Sequence, residues 1–402
     1  MKKTKQNIII LIVFLAITAA MAVLFFPSIN SNVSTGMSKI TSIDTESLDY
    51  TTRTIFDSIT YSKSIHILAM LLVGFGFLMV FLRGHEFSSL TATFLAVSIA
   101  LPAYMLIKSF LPGEFEVLSI NGLLYAEFAA ASLLICMGAV LGRLRMNQYF
   151  ILAILFTGAY VLNEWLLLDS GLFSGFLDTG GSVAIHAFGA YFGLGVVATT
   201  DKKFAGKPAP KVSKTSNEFC LLGSMLLWLF WPSFTSSVVS PDRTYLTVLN
   251  TILALCGSTL ATYIFTKLIR GKIEVEDIAN AALAGGVCIG SVCSTANPGF
   301  SMVIGICAGI LSTVGFSIIA PKVCRLIRGT DTCGVHNLHG MPGLLGGLFA
   351  IIITGNAGAQ IGAIVCTVVV GLVLGRIVGF ILGLMKTKED TYDDKDEFIL
   401  ED

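Results

Sequence analysis

The sequence predicts an all-α polytopic membrane protein with about 12 transmembrane helices and a five-plus-five inverted repeat, and three observations carry that expectation. Of its 402 residues 54% are hydrophobic and only 13% charged, against about 25% charged in an ordinary soluble domain. Mean hydropathy is +0.81, so lipid is the main solvent of the chain. Apolar stretches recur at the length of a bilayer crossing, about 20 residues. Two of those stretches also look alike around a histidine.

The predicted spans cover residues 8–26, 65–82, 90–107, 120–142, 149–168, 181–198, 219–236, 245–267, 278–293, 300–320, 334–353 and 361–384. Many contain Gly and other small residues, which lets helices approach closely in lipid. With crossings in this order, Lys39, Arg53, Lys63, Lys108 and Arg243 fall on one side and Arg376 inside the last span. All other Lys and Arg fall with the N-terminus, so the positive-inside rule places both termini in the cytoplasm of a cell membrane. The first stretch has a second reading as a signal peptide, since Lys2, Lys3 and Lys5 precede it and Ala20-Met21-Ala22 resembles a cleavage site.

Three regions result: an N-terminal helix with an external segment over 1–62, a bundle over 63–384, and an acidic cytoplasmic tail over 385–402 that reads as a solvated end or as a segment that docks a partner. Formal net charge is zero, so bulk electrostatics give no reason to expect a nucleic-acid partner. The nine cysteines form no cluster suggesting a disulfide framework, and no cofactor motif is present.

The look-alike stretches are Ile185-His186-Ala187-Phe188-Gly189 and Val335-His336-Asn337-Leu338-His339, with Gly-Leu seven and eight residues after His186 and after His336. Setting the opening helix aside, the two stretches are the fifth and tenth spans. Five crossings per copy invert the second copy in the membrane, an architecture that puts a site at the midplane. An imidazole offers a donor and an acceptor nitrogen, so facing histidines could share a proton and line a path for a small polar molecule such as ammonia. The alternative is that His186 and His336 are satisfied bundle histidines with no solute to meet.

Asp178, eight residues before His186, reads as the cap of that helix, as a carboxylate at a pore mouth, or as both. Phe128 and Phe234 are candidate apolar plugs. Asn163 and Glu164 are expected to fasten helices together. A metal site using His186, His336, His339 and Asp178 is the rival from the enzyme class, but neither His-Glu-x-x-His nor a carboxylate cluster accompanies it.

Taken together, these residues resemble the ammonium transporter and Rhesus glycoprotein family, in its Rhesus branch. The resemblance runs from 65 to 384 and rests on Val73-Gly74-Phe75-Gly76-Phe77-Leu78-Met79, Asp178-Thr179-Gly180-Gly181-Ser182 through Gly193, and Trp231-Pro232-Ser233-Phe234. It continues in Asn280-Ala281-Ala282-Leu283-Ala284-Gly285-Gly286-Val287 and Asp331-Thr332-Cys333-Gly334-Val335-His336-Asn337-Leu338-His339-Gly340-Met341-Pro342-Gly343. It implies a homotrimer conducting ammonia, ammonium or methylammonium through one pore per subunit. It also implies twin pore histidines at His186 and His336, a stacked gate of Phe128 and Phe234, and a mouth carboxylate at Asp178. His339 is then not one of the twins, and carbon dioxide remains a second candidate solute. Glu127 and Thr235 depart from the pattern of many relatives, and both lie at the outer gate.

Overall fold

The computed structural model describes residues 12, 45–82, 84–111, 117–200, 214–385 and 392–400. Among the described residues eleven helices are long and apolar enough to cross a membrane. In chain order they are α1 (Asp57–Phe81), α2 (Glu86–Ser109), α3 (Ile120–Ala139), α4 (Met146–Asp169), α5 (Ser182–Thr200) and α6 (Thr215–Thr235). After these come α7 (Pro241–Arg270), α8 (Val275–Val292), α9 (Pro298–Ile327), α10 (His336–Thr354) and α11 (Ala357–Leu384). They match the second to twelfth predicted spans. The first, over 8–26, lies outside the described residues apart from Ile12, as does the basic loop over 201–213.

Local chemistry explains where the helices start and stop. The span expected over 245–267 extends to Pro241 at its first turn, a position where proline loses no hydrogen bond, and stops at Gly271, whose φ of 74° ends the helix. The span expected over 300–320 begins earlier because the Asn297 side chain accepts from Phe300 N at 2.8 Å. The eighth is not the continuous helix expected. It breaks at 282–283, where Ser258 Oγ donates to the Ala282 carbonyl at 2.5 Å and draws it from the helical ladder.

Packing repeats after five crossings: α2 lies against α4 as α7 lies against α9, and α3 against α5 as α8 against α10. Because five is odd, the second set runs through the membrane in the opposite sense. The last helix, α11, runs along α5, with Gly371, Gly375 and Gly379 turned to the backbone of Phe188, Phe192 and Val196. A Cβ there would force the helices apart. Polar side chains tie the bundle. Asn163 Nδ2 donates to the Ala184 carbonyl, Thr367 Oγ1 donates to Asn163 Oδ1, and Glu164 accepts from Tyr104 Oη at 2.8 Å and Lys108 Nζ at 3.2 Å.

The acidic tail, expected to be a solvated end or to dock a partner, is in part packed on the bundle of its own chain. Asp394 accepts from the Phe87 and Ser88 amides of α2 at 2.7 and 3.0 Å, and its own amide donates to the Gly84 carbonyl. Glu397 accepts from Met146 N at the start of α4, while the Tyr392 ring lies 4.8 Å from the Arg145 guanidinium carbon. Carboxylates thus cap two neighbouring helices, where the macrodipole favours negative charge. Burial lowers the pKa of nearby His85, against the opposite pull of Asp394, Asp393 and Glu86. Replacing Asp394 by alanine should weaken this docking by about 1–2 kcal/mol and speed hydrogen exchange at the Phe87 and Ser88 amides. Unchanged protection there would refute the capping role.

Candidate functional site

Each half of the bundle delivers one imidazole to a shared contact inside the bundle by the same device. Chain geometry begins at an Asp-Thr-x-Gly turn, Asp178 to Gly181 in one half and Asp331 to Gly334 in the other. Both terminal glycines have positive φ, 74° and 65°, which an L side chain rarely adopts. A π-helical turn follows, Ser182–Ala187 and His336–Gly340, with the His186 amide reaching back five residues to the Gly181 carbonyl at 3.0 Å. Such wide turns are frequent at functional sites.

The aspartates stitch these turns in place. Asp178 accepts from Val183 N at 3.0 Å, Ala184 N at 2.8 Å and Ser291 Oγ at 2.5 Å. Asp331 accepts from Val335 N and His336 N, both at 2.9 Å. Burial raises both carboxyls, Asp331 up to about 6, and these backbone and hydroxyl donors pull the other way. Both Asp178 oxygens are already engaged, so its observed geometry is that of a helix cap.

The histidines that meet are His186 and His339. Their Nδ1 atoms are 3.2 Å apart and their rings stack at 5.3 Å with 12° between planes. The expected pairing of His186 with His336 is not formed. His336 turns instead toward Tyr191, edge-on at 5.7 Å, with its Nδ1 beside Gly340. The reason is register: counting from the capping aspartate, His186 and His339 are both eighth, whereas His336 is fifth. Matching Asp-Thr-x-Gly to Asp-Thr-x-Gly would have found the pair, while the Gly-Leu match aligned commonplace residues three positions away.

Above the pair sit aromatic rings. Phe234 is 5.9 Å from His186 and 4.8 Å from Phe128, with a 59° angle between the two phenyl planes. The expected phenylalanine pair therefore does meet, but tilted rather than stacked. Tyr125 packs edge-on to Phe128 at 5.9 Å. Sequence reading assigned no role to Trp231, which stacks on His186 at 5.5 Å, or to Phe75, which lies 6.2 Å from His339. Trp231 fits because Gly286 presents no side chain beneath its indole.

A void of about 10 Å³ lies among Ile67, Met70, Leu71, Phe75, Ala131, His186, Trp231 and Phe234. That is near the least space that holds one water-sized molecule. His186 Nε2 and Trp231 Nε1, whose residues border it, are buried without a hydrogen-bond partner among the described residues. An Nδ1···Nδ1 hydrogen bond requires one ring protonated at Nδ1 and the other at Nε2. The outward nitrogens consequently differ, one accepting and one donating. Among the described residues no three His, Cys, Asp or Glu side chains are arranged to hold a metal ion.

Residues 51–402 match the model of the Ammonium Transporter Family. The chain is 40% identical over 297 residues to Ammonium transporter Rh type B of Oryctolagus cuniculus, covering 71% of this chain and 64% of the relative. The counterpart in Danio rerio is 37% identical over 308 residues, covering 74% and 66%. The chain thus spans slightly less than two thirds of these relatives' length. Among solved structures, Nitrosomonas europaea Rh50, described within the Rhesus protein family of channels, superimposes with a TM-score of 0.83 at 50% identity, covering 85% of this chain and 92% of that one.

Proposed function

Since the chain belongs to the ammonium transporter family, in its Rhesus-type branch, we propose that it conducts ammonia across a cell membrane through the path marked by Phe128, Phe234, His186 and His339. The 3.2 Å imidazole pair beside a void of one-molecule size carries this reading. Ammonia has N–H donors and a lone-pair acceptor, so it can satisfy His186 Nε2 in either tautomer and can accept from Trp231 Nε1. Carbon dioxide has acceptor oxygens and no such donor, so it matches only one tautomer. Ammonia is the better fit.

Magnitudes decide the form that crosses. Aromatic faces attract a desolvated cation by about 2 kcal/mol, whereas an unpaired ion in a dry apolar passage costs tens of kcal/mol by the Born estimate. Rings at the outer end can gather ammonium, but the ion must leave its proton or be hydrated before it passes Phe234. By the positive-inside rule the basic-loop face is proposed to lie in the cytoplasm. Assembly as a homotrimer with a path in each subunit is proposed from the family resemblance.

Purified protein in vesicles should speed methylammonium uptake and the alkalinisation driven by an inward ammonia gradient, with no potassium flux above empty vesicles. Substantial potassium flux, or ammonia entry equal to that of protein-free vesicles, would overturn the reading.

A further inference from the structure

Two consecutive residues of α1 each hold one half of the aromatic gate. Ser64 Oγ donates to Glu127 Oε1 at 2.5 Å, next to Phe128, and Lys63 Nζ donates to the Ser236 carbonyl at 2.7 Å, two residues beyond Phe234. Lys63 also lines a cavity of about 690 Å³ together with Asp57, Ser119, Asn121, Tyr125 and Ser237. Tyr125 packs on Phe128, so this cavity lies directly outside the gate. Among the described lining residues only Lys63 and Asp57 are charged. Asp57 is exposed at the start of α1, nearly two turns from half-buried Lys63, whereas Lys63 is pinned against the rim.

We propose that Lys63 is a specificity-determining residue of this vestibule: its tethered ammonium group disfavours cations at the gate relative to uncharged amines. The proposal rests on the conduction reading above. One carbonyl occupies one of the three hydrogens of a lysine ammonium group, and the charge stays beside the space a solute must enter. Glu127 is not among the residues lining this cavity: its carboxyl is buried and accepts from Ser64 Oγ, and no contact with Lys63 is seen among the described residues. A fixed positive charge about 7 Å from an entering cation in a water-filled vestibule changes its local concentration by about threefold. The effect should shrink as added salt brings the screening length to about 10 Å or less.

The competing role for Lys63 is mechanical, as a clamp on Ser236. Lys63→Gln, Lys63→Met, Lys63→Arg and Asp57→Asn, compared in vesicles at equal amounts of folded protein, separate the two. At low salt, Gln and Met should each lower the half-saturating methylammonium concentration about threefold. Arg should leave it near wild type, and Asp57→Asn should raise it. At high salt the differences should fade. Equal half-saturation in wild type, Gln and Met at low salt overturns the proposal, as does a change confined to Met or insensitive to salt. If wild type and every variant took up no methylammonium, the conduction reading itself would fail, an outcome distinct from uniform uptake across the set.

Discussion

Replacing His339 by alanine should cut methylammonium uptake by at least about tenfold, while replacing His336 should leave most of it. Loss of His339 removes the one partner of His186 Nδ1 among the described residues and leaves both nitrogens of a buried ring unpaired there. Each buried polar atom left without a partner costs about 1–3 kcal/mol, and about 1.4 kcal/mol on a barrier is a factor of ten. Among the described residues His336 has no hydrogen bond or ring contact with His186, and its ring contact is the edge-on one with Tyr191, so its alanine variant leaves the His186–His339 pair in place. His339→Asp should go further. A carboxylate beside His186 favours a cation and draws water, so ammonium-evoked current should appear or rise where the wild type passes little. Uptake and current measured on matched amounts of folded protein would check both points. A His336 variant that lost uptake while His339→Ala kept it would reverse the assignment of the pair.

What the sequence disclosed divides along physical lines. Bilayer crossings are legible because a span is a composition over about 20 residues, and a misplaced end barely changes it. The break in α8 was not legible, since it depends on one hydroxyl, Ser258, reaching the Ala282 carbonyl from another helix. Phe128 and Phe234 meet as the family resemblance implied, but their 59° angle follows from the packing of Tyr125 and His186 around them. The histidine pairing failed for an instructive reason. Glycine and leucine are abundant in any membrane chain, so Gly-Leu at a fixed spacing carries little information. Asp-Thr-x-Gly carries more, because the carboxylate must face free helix amides and the glycine must adopt positive φ. The docked tail has no apolar period to betray it, since its hold on the bundle is largely the capping of backbone amides by Asp394 and Glu397.

Asp178→Ala should produce the largest loss of stability of any change at the site, about 2–4 kcal/mol from a lost helix cap together with stranded buried donors. The Val183 and Ala184 amides and the Ser291 hydroxyl all end on this carboxylate. Ser291 belongs to α8, in the other half of the repeat, so Asp178 also fastens one half to the other. The damage should not stay local, because the turn it holds sets the position of His186 five residues past Gly181. Asp178→Asn should be intermediate: its amide oxygen can still accept, but its NH₂ group must face donors. Thermal unfolding of the detergent-solubilised protein should therefore rank wild type above Asn and Asn above Ala. Asp331→Ala, which strands two amides rather than three donors, should fall less far than Asp178→Ala. If Asp178→Ala unfolded at the wild-type temperature yet failed to transport, the carboxylate would be acting on the solute at the pore mouth, and its role as a cap would be secondary.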